Sequence, residues 1–320
     1  MKKIQLTCAH AIVKYLISQK ILVDGKKLPL FAGAFGIFGH GNVACLGQAL
    51  EENKKELPTW RGHHEQNMAL TGIAFSRAKR RKQIFVATSS VGPGSTNMLT
   101  AAAVAMSNRL PMLFLPGDTY ANRMPDPVLQ QVEHFNNPNI TQNDAFKYVT
   151  RYFDRITRPE QILQTFPQAI QTMIDPADCG PACISLSQDV QGETFDYPEE
   201  FFNEKIHTIR RPRPDDYQIK QAADLIKKSK NPIIISGGGI FYSDAMKELS
   251  QFANKHNIPT AQTVMGYSTM KKDDPYFLGA IGGFGGKAPN DFMKKTDLAI
   301  AIGTKSVSYT HLRAHETSNH

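Results

Sequence analysis

The N-terminal part of the chain alternates short apolar runs with amphipathic segments. Four continuous apolar runs are typical of buried parallel strands, at 30–34, 83–88, 111–115 and 181–186. Helical segments are predicted between them, at 10–19, at 46–52, from 65 onward and at 97–108. We therefore predict an α/β fold built on a parallel sheet, with 181–186 as the last strand.

The composition changes at residues 197–216, where charged, proline and polar residues dominate. We interpret 197–216 as a linker between a first domain, 1–196, and a second, Rossmann-like and incomplete α/β domain, 217–305. The second domain is predicted to contain helices at 217–228 and 243–256 and strands at 232–236, 259–264 and 297–302. Residues 306–320 contain three histidines and no apolar period, so we predict an atypical tail there.

The composition is that of an ordinary soluble globular protein, with 320 residues, 41% hydrophobic and 21% charged. No apolar stretch is long enough for a membrane span, and the N-terminus has no signal-peptide pattern. The four cysteines predict neither a disulfide framework nor a zinc site: Cys8, Cys45, Cys179 and Cys183. We therefore predict a cytoplasmic protein with reduced thiols and no membrane partner.

The net charge of +8 is compatible with a nucleic-acid partner, but the basic residues are scattered apart from two short runs. The run at 79–82 lies at a predicted helix end, where positive charge complements the helix dipole. The run at 210–213 falls in the predicted linker. A charge run alone is weak evidence, so we predict no nucleic-acid partner.

Glu65 is the most informative candidate for chemistry, because it begins a helix whose inner face is made of small residues. An acid in the first turn of a helix also complements the dipole without any catalytic role. Two glycine-rich segments, 36–42 and 92–97, follow predicted strands, and each is either a plain turn or part of a ligand site. We expect these segments at the sheet edge where α/β proteins bind ligands.

Other short motifs fail at a defining position. Three glycines at 237–239 follow a strand, but Tyr242 stands where a dinucleotide-binding fingerprint has its third glycine. The segment at 285–288 ends in Ala288, which has no oxygen for a magnesium ion. His64 and Glu65 begin like a zinc-protease helix, but Met68 occupies the position of the second histidine. No Gly-x-Ser-x-Gly motif is present.

Three blocks, 33–42, 61–78 and 88–118, resemble the pyrimidine-binding domain of thiamine-diphosphate-dependent enzymes of the acetolactate-synthase type. The segments 35–43, 60–69, 117–119 and 125–131 are most similar to the branch of this family that acts in myo-inositol catabolism. The resemblance extends to about residue 305 and implies that the second domain is the family's central domain. It also implies thiamine diphosphate and Mg²⁺ as cofactors and a homo-dimer or tetramer.

The resemblance assigns roles to five residues. Glu65 matches the glutamate that hydrogen-bonds N1′ of the aminopyrimidine and so promotes loss of the thiazolium C2 proton. Pro93 and Asn97 match the turn beside this ring, which makes them cofactor-binding candidates together with Glu65. His40 falls at the loop position that faces the reacting carbon, and Gln130 matches a glutamine near the substrate. For His40, a surface or packing role stays equally open.

The implied reaction is the hydrolytic opening of a cyclic diketone, by carbon–carbon cleavage, to 5-deoxy-glucuronate. Two alternatives stay open: an acetolactate synthase or related carboligase, and a non-catalytic module that kept the fold. The family binds diphosphate and Mg²⁺ through a Gly-Asp-Gly segment in a C-terminal domain, and no Gly-Asp-Gly occurs here. We therefore expect a C-terminally truncated chain that has no metal site of its own and no turnover when isolated.

Overall fold

The computed structural model describes residues 2–124, 128–132, 134 and 136–305. The chain forms two compact units whose boundary lies between Arg210 and Arg211. The predicted tail, 306–320, lies outside the described residues. In the part of the chain that the structure describes, none of the helices combines the length and the apolar character that a membrane crossing requires.

The first unit contains twelve strands and six α-helices in its described residues. The strands are β1 (Lys3–Thr7), β2 (Gln19–Val23), β3 (Lys26–Pro29), β4 (Phe31–Ile37), β5 (Thr59–Arg61), β6 (Ile84–Ser89), β7 (Leu113–Phe114), β8 (Gly117–Asp118), β9 (Tyr152–Ile156), β10 (Ala182–Ser187), β11 (Thr194–Pro198) and β12 (Lys205–His207). The helices are α1 (Cys8–Ser18), α2 (Gln48–Glu52), α3 (Glu65–Ala78), α4 (Pro93–Thr96), α5 (Leu99–Asn108) and α6 (Ile162–Ile174).

A seven-stranded sheet forms the centre of the first unit, in the order β5-β4-β6-β7-β10-β8, with β9 also paired to β10. All of its strand pairs are parallel. Every residue of β6 and β10 is buried, as expected for parallel strands covered on both faces. The predicted parallel α/β fold is confirmed. The strand predicted at 181–186 is β10, which is the last strand of this sheet along the chain, although two further strands of the first unit follow it in smaller sheets.

Two smaller sheets contain the strands that follow β10. β11 pairs antiparallel with β1, and β12 pairs with β2 in the order β12-β2-β3. The structure therefore places 197–207, the first part of the predicted linker, in the first unit. Tyr197 of β11 is fully buried and its hydroxyl donates to the carbonyl of Pro159 over 3.0 Å. The segment is polar because its strands expose one face to solvent, whereas Tyr197 packs on the buried side.

The second unit contains four α-helices and four strands in its described residues. They are α7 (Asp216–Lys228), β13 (Pro232–Ser236), α8 (Gly238–Tyr242), α9 (Met246–His256), β14 (Thr260–Gln262), β15 (Phe277–Ala280), α10 (Lys287–Met293) and β16 (Leu298–Ile302). The strands form a parallel sheet in the order β15-β14-β13-β16. Ile234 packs into one apolar cluster, whereas Ile233 and Ile235 pack into another, because successive side chains of a strand point to opposite faces.

Candidate functional site

The two glycine-rich segments leave the central sheet at the same edge. β4 and β6 are parallel neighbours, and their last residues, Ile37 and Ser89, face each other in the ladder. The loop at 38–42 and the turn at 90–92 therefore begin next to each other. This is the carboxyl edge of a parallel sheet, where α/β proteins bind ligands.

Asn42 holds the loop at 38–42 against the end of β6. It is 3% exposed, and its Nδ2 donates to Thr88 Oγ1 and to the carbonyl of Ser89, both over 2.8 Å. Its Oδ1 accepts from the backbone N–H of Gly39 over 3.2 Å. These bonds fix both ends of a loop that contains few apolar side chains.

His40 lies between Gly39 and Gly41 in this loop, and its side chain is exposed. Both glycines pack too closely for a side chain. A Cβ at Gly39 would lie 2.5 Å from Ser90 Oγ, and one at Gly41 would lie 2.7 Å from the backbone nitrogen of Val91. The loop therefore contacts the turn after β6 through its backbone, and His40 faces away from the core.

Glu65 is the first residue of α3 and is half-buried. Its Oε2 accepts from Asn97 Nδ2 over 2.7 Å. The same Nδ2 lies 3.4 Å from Nε2 of His64, the residue before the helix. Within the described residues, Glu65 Oε1 has no hydrogen-bond partner. One carboxylate oxygen is therefore fixed by an amide, and the other is available to a ligand.

The turn after β6 positions Asn97. Gly92 has a φ of 71°, a conformation that glycine adopts without strain. Pro93 then begins α4, where its missing N–H leaves no helical bond unmade. Pro93 is exposed, and its carbonyl accepts from the backbone N–H of Asn97 over 3.1 Å. The turn thereby delivers the side chain of Asn97 to Glu65.

Small residues line the space beside the free oxygen of Glu65. A Cβ built on Gly94 would lie 3.4 Å from Glu65 Oε1, 3.5 Å from Ser90 Cβ and 3.8 Å from Ser89 Cβ. These are ordinary contact distances, so a methyl group would fit there and occupy the space. Glu65 Oε1 is therefore bordered by small residues, and Gly94 presents no side chain to it.

Gln130 approaches the same region from a distant part of the chain. Its Oε1 accepts from Ser90 Oγ over 3.2 Å, and a Cβ at Gly39 would lie 3.6 Å from that oxygen. The carbonyl of Gln130 packs so closely on Gly92 that a Cβ there would lie 1.7 Å away. The structure thus brings Glu65, Pro93, Asn97 and Gln130 to one sheet edge with the loop of His40, while their roles stay predictions. The neighbouring segment 125–127, part of the family resemblance, lies outside the described residues.

A set of buried polar residues behind the turn was not predicted from the sequence. The set is Ser95, Asp118, Asn143 and Ser185, all 0% exposed, together with Arg155. One signal was available, because Asp118 comes three residues after the apolar run 111–115, and a buried charge there is uncommon unless it is paired. Burial opposes charge on the Arg155 guanidinium, but the charges and hydrogen bonds of Asp118 and Asp144 together outweigh it and raise the pKa of Arg155.

Metal binding has no candidate in the described residues, because no group of three or more His, Cys, Asp or Glu side chains there is arranged to hold an ion. The two acidic residues nearest the site already bond to other side chains. Glu65 bonds to Asn97, and Asp118 bonds to Arg155.

Two family models match the chain. The model for the thiamine pyrophosphate enzyme N-terminal TPP binding domain matches residues 31–138, and the model for the thiamine pyrophosphate enzyme central domain matches residues 219–319. The chain belongs to the thiamine pyrophosphate enzyme family. The loop of His40, the start of α3 and the α4 turn all lie within the first match, which confirms the predicted resemblance.

Curated relatives of this chain carry the name 3D-(3,5/4)-trihydroxycyclohexane-1,2-dione hydrolase. Those of Clostridium tetani, Geobacillus thermodenitrificans and Bacillus cereus are each 47% identical to the chain over 310 residues. Each alignment covers 97% of this chain and 48% of the relative. The chain therefore spans about half the length of the curated relatives that it matches.

Proposed function

We propose that the chain is part of a thiamine-diphosphate-dependent hydrolase that opens 3D-trihydroxycyclohexane-1,2-dione to 5-deoxy-glucuronate in inositol catabolism. Support comes from the matched TPP binding and central domains and from relatives with this hydrolase name at 47% identity. The observation that carries the proposal is the Glu65 carboxylate, with Oε2 bonded to Asn97 and Oε1 beside Gly94, which has no side chain.

The residues at this edge fit the aminopyrimidine end of thiamine diphosphate. Such a ring needs a hydrogen-bond acceptor in its plane and a surface without bulky side chains against its face. Glu65 Oε1 is the acceptor, and Gly94, Ser89 and Ser90 are the small residues beside it. When bound, thiamine diphosphate supplies an acidic ring carbon that adds to a carbonyl group and holds the electrons of the broken bond.

Glu65 and Asn97 act on the proton of the ring nitrogen. Asn97 donates to Oε2, which sets the plane of the carboxyl group and leaves Oε1 to share a proton with the ring. In a half-buried site this hydrogen bond is stronger than in water. Pro93 starts the turn that holds Asn97 in place. These residues therefore orient the ring and move its proton.

Gln130 and His40 are assigned to the substrate. Gln130 Oε1 accepts from Ser90, so the side-chain amide is fixed with Nε2 left to donate to a substrate oxygen. His40 is exposed at the same edge and acts as acid or base toward a carbonyl or hydroxyl group. Gly39 and Gly41, one on each side of His40, pack closely against neighbouring residues and so restrict the loop.

The complete enzyme is proposed to be a cytoplasmic homo-dimer or tetramer with Mg²⁺. Diphosphate and Mg²⁺ are bound by the half of the relatives' length that this chain does not match. Residues 1–196 form the pyrimidine-binding domain and 217–305 part of the central domain.

Replacement of Glu65 by Gln in the full-length parent tests the function. Gln keeps the shape and an acceptor for Asn97 but cannot hold a proton as a carboxylate does, so kcat for opening of the dione should fall by about 100-fold or more. The matched control is Glu51→Gln, since Glu51 also lies in the first turn of a helix and pairs only with Lys54. Retention of the parent rate in Glu65→Gln contradicts the catalytic role. Condensation of pyruvate by the parent, without opening of the dione, favours the carboligase alternative.

A further inference from the structure

A chain of buried hydrogen bonds connects the Asp118 carboxylate to the turn that carries Asn97. Ser185 Oγ donates to Asp118 Oδ2, and Asn143 Nδ2 donates to Ser185 Oγ over 2.7 Å. Ser95 Oγ, in the middle of α4, donates to Asn143 Oδ1. These four side chains are 0% exposed. The chain of bonds begins inside the sheet and ends two residues before Asn97.

The direction of every bond in this chain is determined by one carbonyl group. Asn143 Nδ2 also donates to the backbone carbonyl of Gly117 over 2.9 Å, and a carbonyl only accepts. The amide of Asn143 therefore has a single orientation, with Oδ1 toward Ser95. Ser95 must then donate to Asn143, and Ser185, which accepts from Asn143 Nδ2, donates its own hydrogen to the Asp118 carboxylate.

The Asp118 end of the chain is charged and held by several donors. Arg155 Nε donates to Asp118 Oδ2 and the backbone N–H of Thr119 donates to Oδ1, both over 2.8 Å. A buried carboxylate is tolerated when it is paired and hydrogen-bonded in this way. Arg155 Nη2 also donates to Thr141 Oγ1 over 2.8 Å and lies 3.1 Å from Asp144 Oδ2. Arg155 thus contacts both the carboxylate and the segment that contains Asn143.

Asn143 lies in a short 3₁₀ helix, Gln142–Tyr148, whose start is fixed by a capping box. Thr141 accepts from the N–H of Asn143, and Asp144 accepts from the N–H of Thr141 over 2.7 Å. Because Arg155 bonds to both capping residues, the position of Asn143 depends on the same guanidinium that neutralises Asp118.

The turn end of the chain needs this support. α4 has only four residues, and a helix of that length is not stable through its own backbone bonds. We propose that Ser95 and Asn143 are positioning residues, through which the Asp118–Arg155 pair sets the place of Asn97 against Glu65. The catalytic consequence of this role rests on the proposed function, but the positioning itself is a property of the protein without cofactor.

Hydrogen exchange in the full chain tests the positioning. Ser95→Ala should speed the exchange of the Asn97 and Met98 backbone amides about tenfold, because the turn loses its buried bond. These amides now donate to the carbonyls of Pro93 and Ser95 over 3.1 and 3.0 Å. The control, Thr96→Val, removes a hydroxyl that bonds only within the turn. It should leave both amides within about twofold of the parent.

A merely structural role predicts a different pattern, with faster exchange in β10 and α3 as well as in the turn. That pattern, or unchanged exchange of Asn97 and Met98 in Ser95→Ala, overturns the inference. If Ser95→Ala does not fold, Ser95→Cys, which keeps the volume with a weaker donor, is measured instead and should show a smaller acceleration confined to the turn.

Calorimetric titration of the full-length parent and its variants with thiamine diphosphate and Mg²⁺ separates this inference from the proposed function. Both Ser95→Ala and Glu65→Gln should bind at least about fivefold more weakly than the parent, and Thr96→Val equally well. Local acceleration of exchange with unchanged binding in both variants leaves the positioning intact and contradicts the proposed function. Weaker binding in Glu65→Gln, with neither exchange nor binding changed in Ser95→Ala, contradicts the positioning alone.

Discussion

Arg155 donates through Nε to Oδ2 of Asp118 over 2.8 Å, and the Asp118 side chain is fully buried while that of Arg155 is 21% exposed. The guanidinium therefore closes one side of a carboxylate that has no contact with water. The remaining polar neighbours of Asp118 donate to it as well. The chain of hydrogen bonds that reaches the α4 turn starts at this ion pair.

Removal of the guanidinium should destabilise the first unit strongly. Arg155→Met leaves the Asp118 charge buried without its partner, and we expect the free energy of unfolding to fall by about 3 kcal/mol. Urea denaturation followed by circular dichroism measures the change. The control is Arg158→Met, whose exposed pair with Glu160 should contribute less than about 1 kcal/mol. Equal losses in the two variants contradict the importance of burial.

A methyl group at position 94 should block cofactor binding without harming the fold. The Cβ of Gly94→Ala would lie 3.4 Å from Glu65 Oε1, an ordinary contact, and alanine favours a helix over glycine by about 1 kcal/mol. Stability should therefore be unchanged or slightly raised. The affinity for thiamine diphosphate should fall about tenfold or more, because the added methyl group obstructs the bound ring.

Gly192→Ala is the matched control for Gly94→Ala. Its Cβ would meet Cys45 Sγ at 3.5 Å, a similar contact away from Glu65. Isothermal calorimetry on both variants measures affinity, and thermal unfolding measures stability. Binding at parental affinity in Gly94→Ala means that no ring lies against position 94.

His207 should make the stability of the first unit depend on mildly acidic pH. It is 9% exposed in β12, and its Nε2 lies 2.9 Å from Gln19 Oε1. Burial, and to a lesser extent the charge of Lys205, lower the pKa of His207 from 6.5 to about 4. The unfolded chain therefore takes up a proton near pH 6.5 and the folded chain only near pH 4. The free energy of unfolding should fall as the pH decreases through this window.

The variant His207→Gln should show a weaker loss of stability between pH 6.5 and 4 than the parent. Chemical denaturation at several pH values measures the slope. His63→Gln is the control, because His63 is exposed and its replacement should leave the slope unchanged. A parental slope in His207→Gln contradicts the assignment of this titration to His207.

Asp297 should stabilise the second unit at pH values above the ordinary pKa of an aspartate side chain. Its carboxylate accepts from Ser229 Oγ and from the N–H groups of Lys230 and Asn231. These hydrogen bonds, that of Ser229 first, lower the pKa of Asp297 from 3.8 to about 2. Because the folded pKa is depressed, the contribution is complete above pH 3.8 and is lost as the pH falls toward 2.

Asp297→Ala should therefore accelerate hydrogen exchange of the β13 amides at pH 6, and the difference from the parent should shrink in acid. Exchange in β13 reports on the second unit alone. Asp291→Ala is the control, since Asp291 is partly exposed and, in the described residues, pairs only with Lys287 and Lys294 close to it in the sequence. Equal acceleration by both variants would show that loss of any carboxylate in this unit has the same effect.

Strands with weak sequence patterns were missed for a common physical reason. β5 has only three residues and pairs with β4 at the sheet edge, and β9, which pairs with β10, contains two adjacent charged residues after two aromatic ones. Neither is a continuous apolar run, because each has access to solvent. Their strand character comes from pairing with distant segments, which local periodicity does not report.

The sequence by itself determined the buried parallel strands, the helix that begins at Glu65 and the glycine-rich turns. Each of these depends on neighbours only a few residues away. Tertiary structure alone decided that Ser95 meets Asn143, 48 residues later, and that Asn143 meets Ser185 after another 42. A polar side chain specifies that a buried partner is needed but not which one, and the parallel crossovers of the sheet bring those partners together.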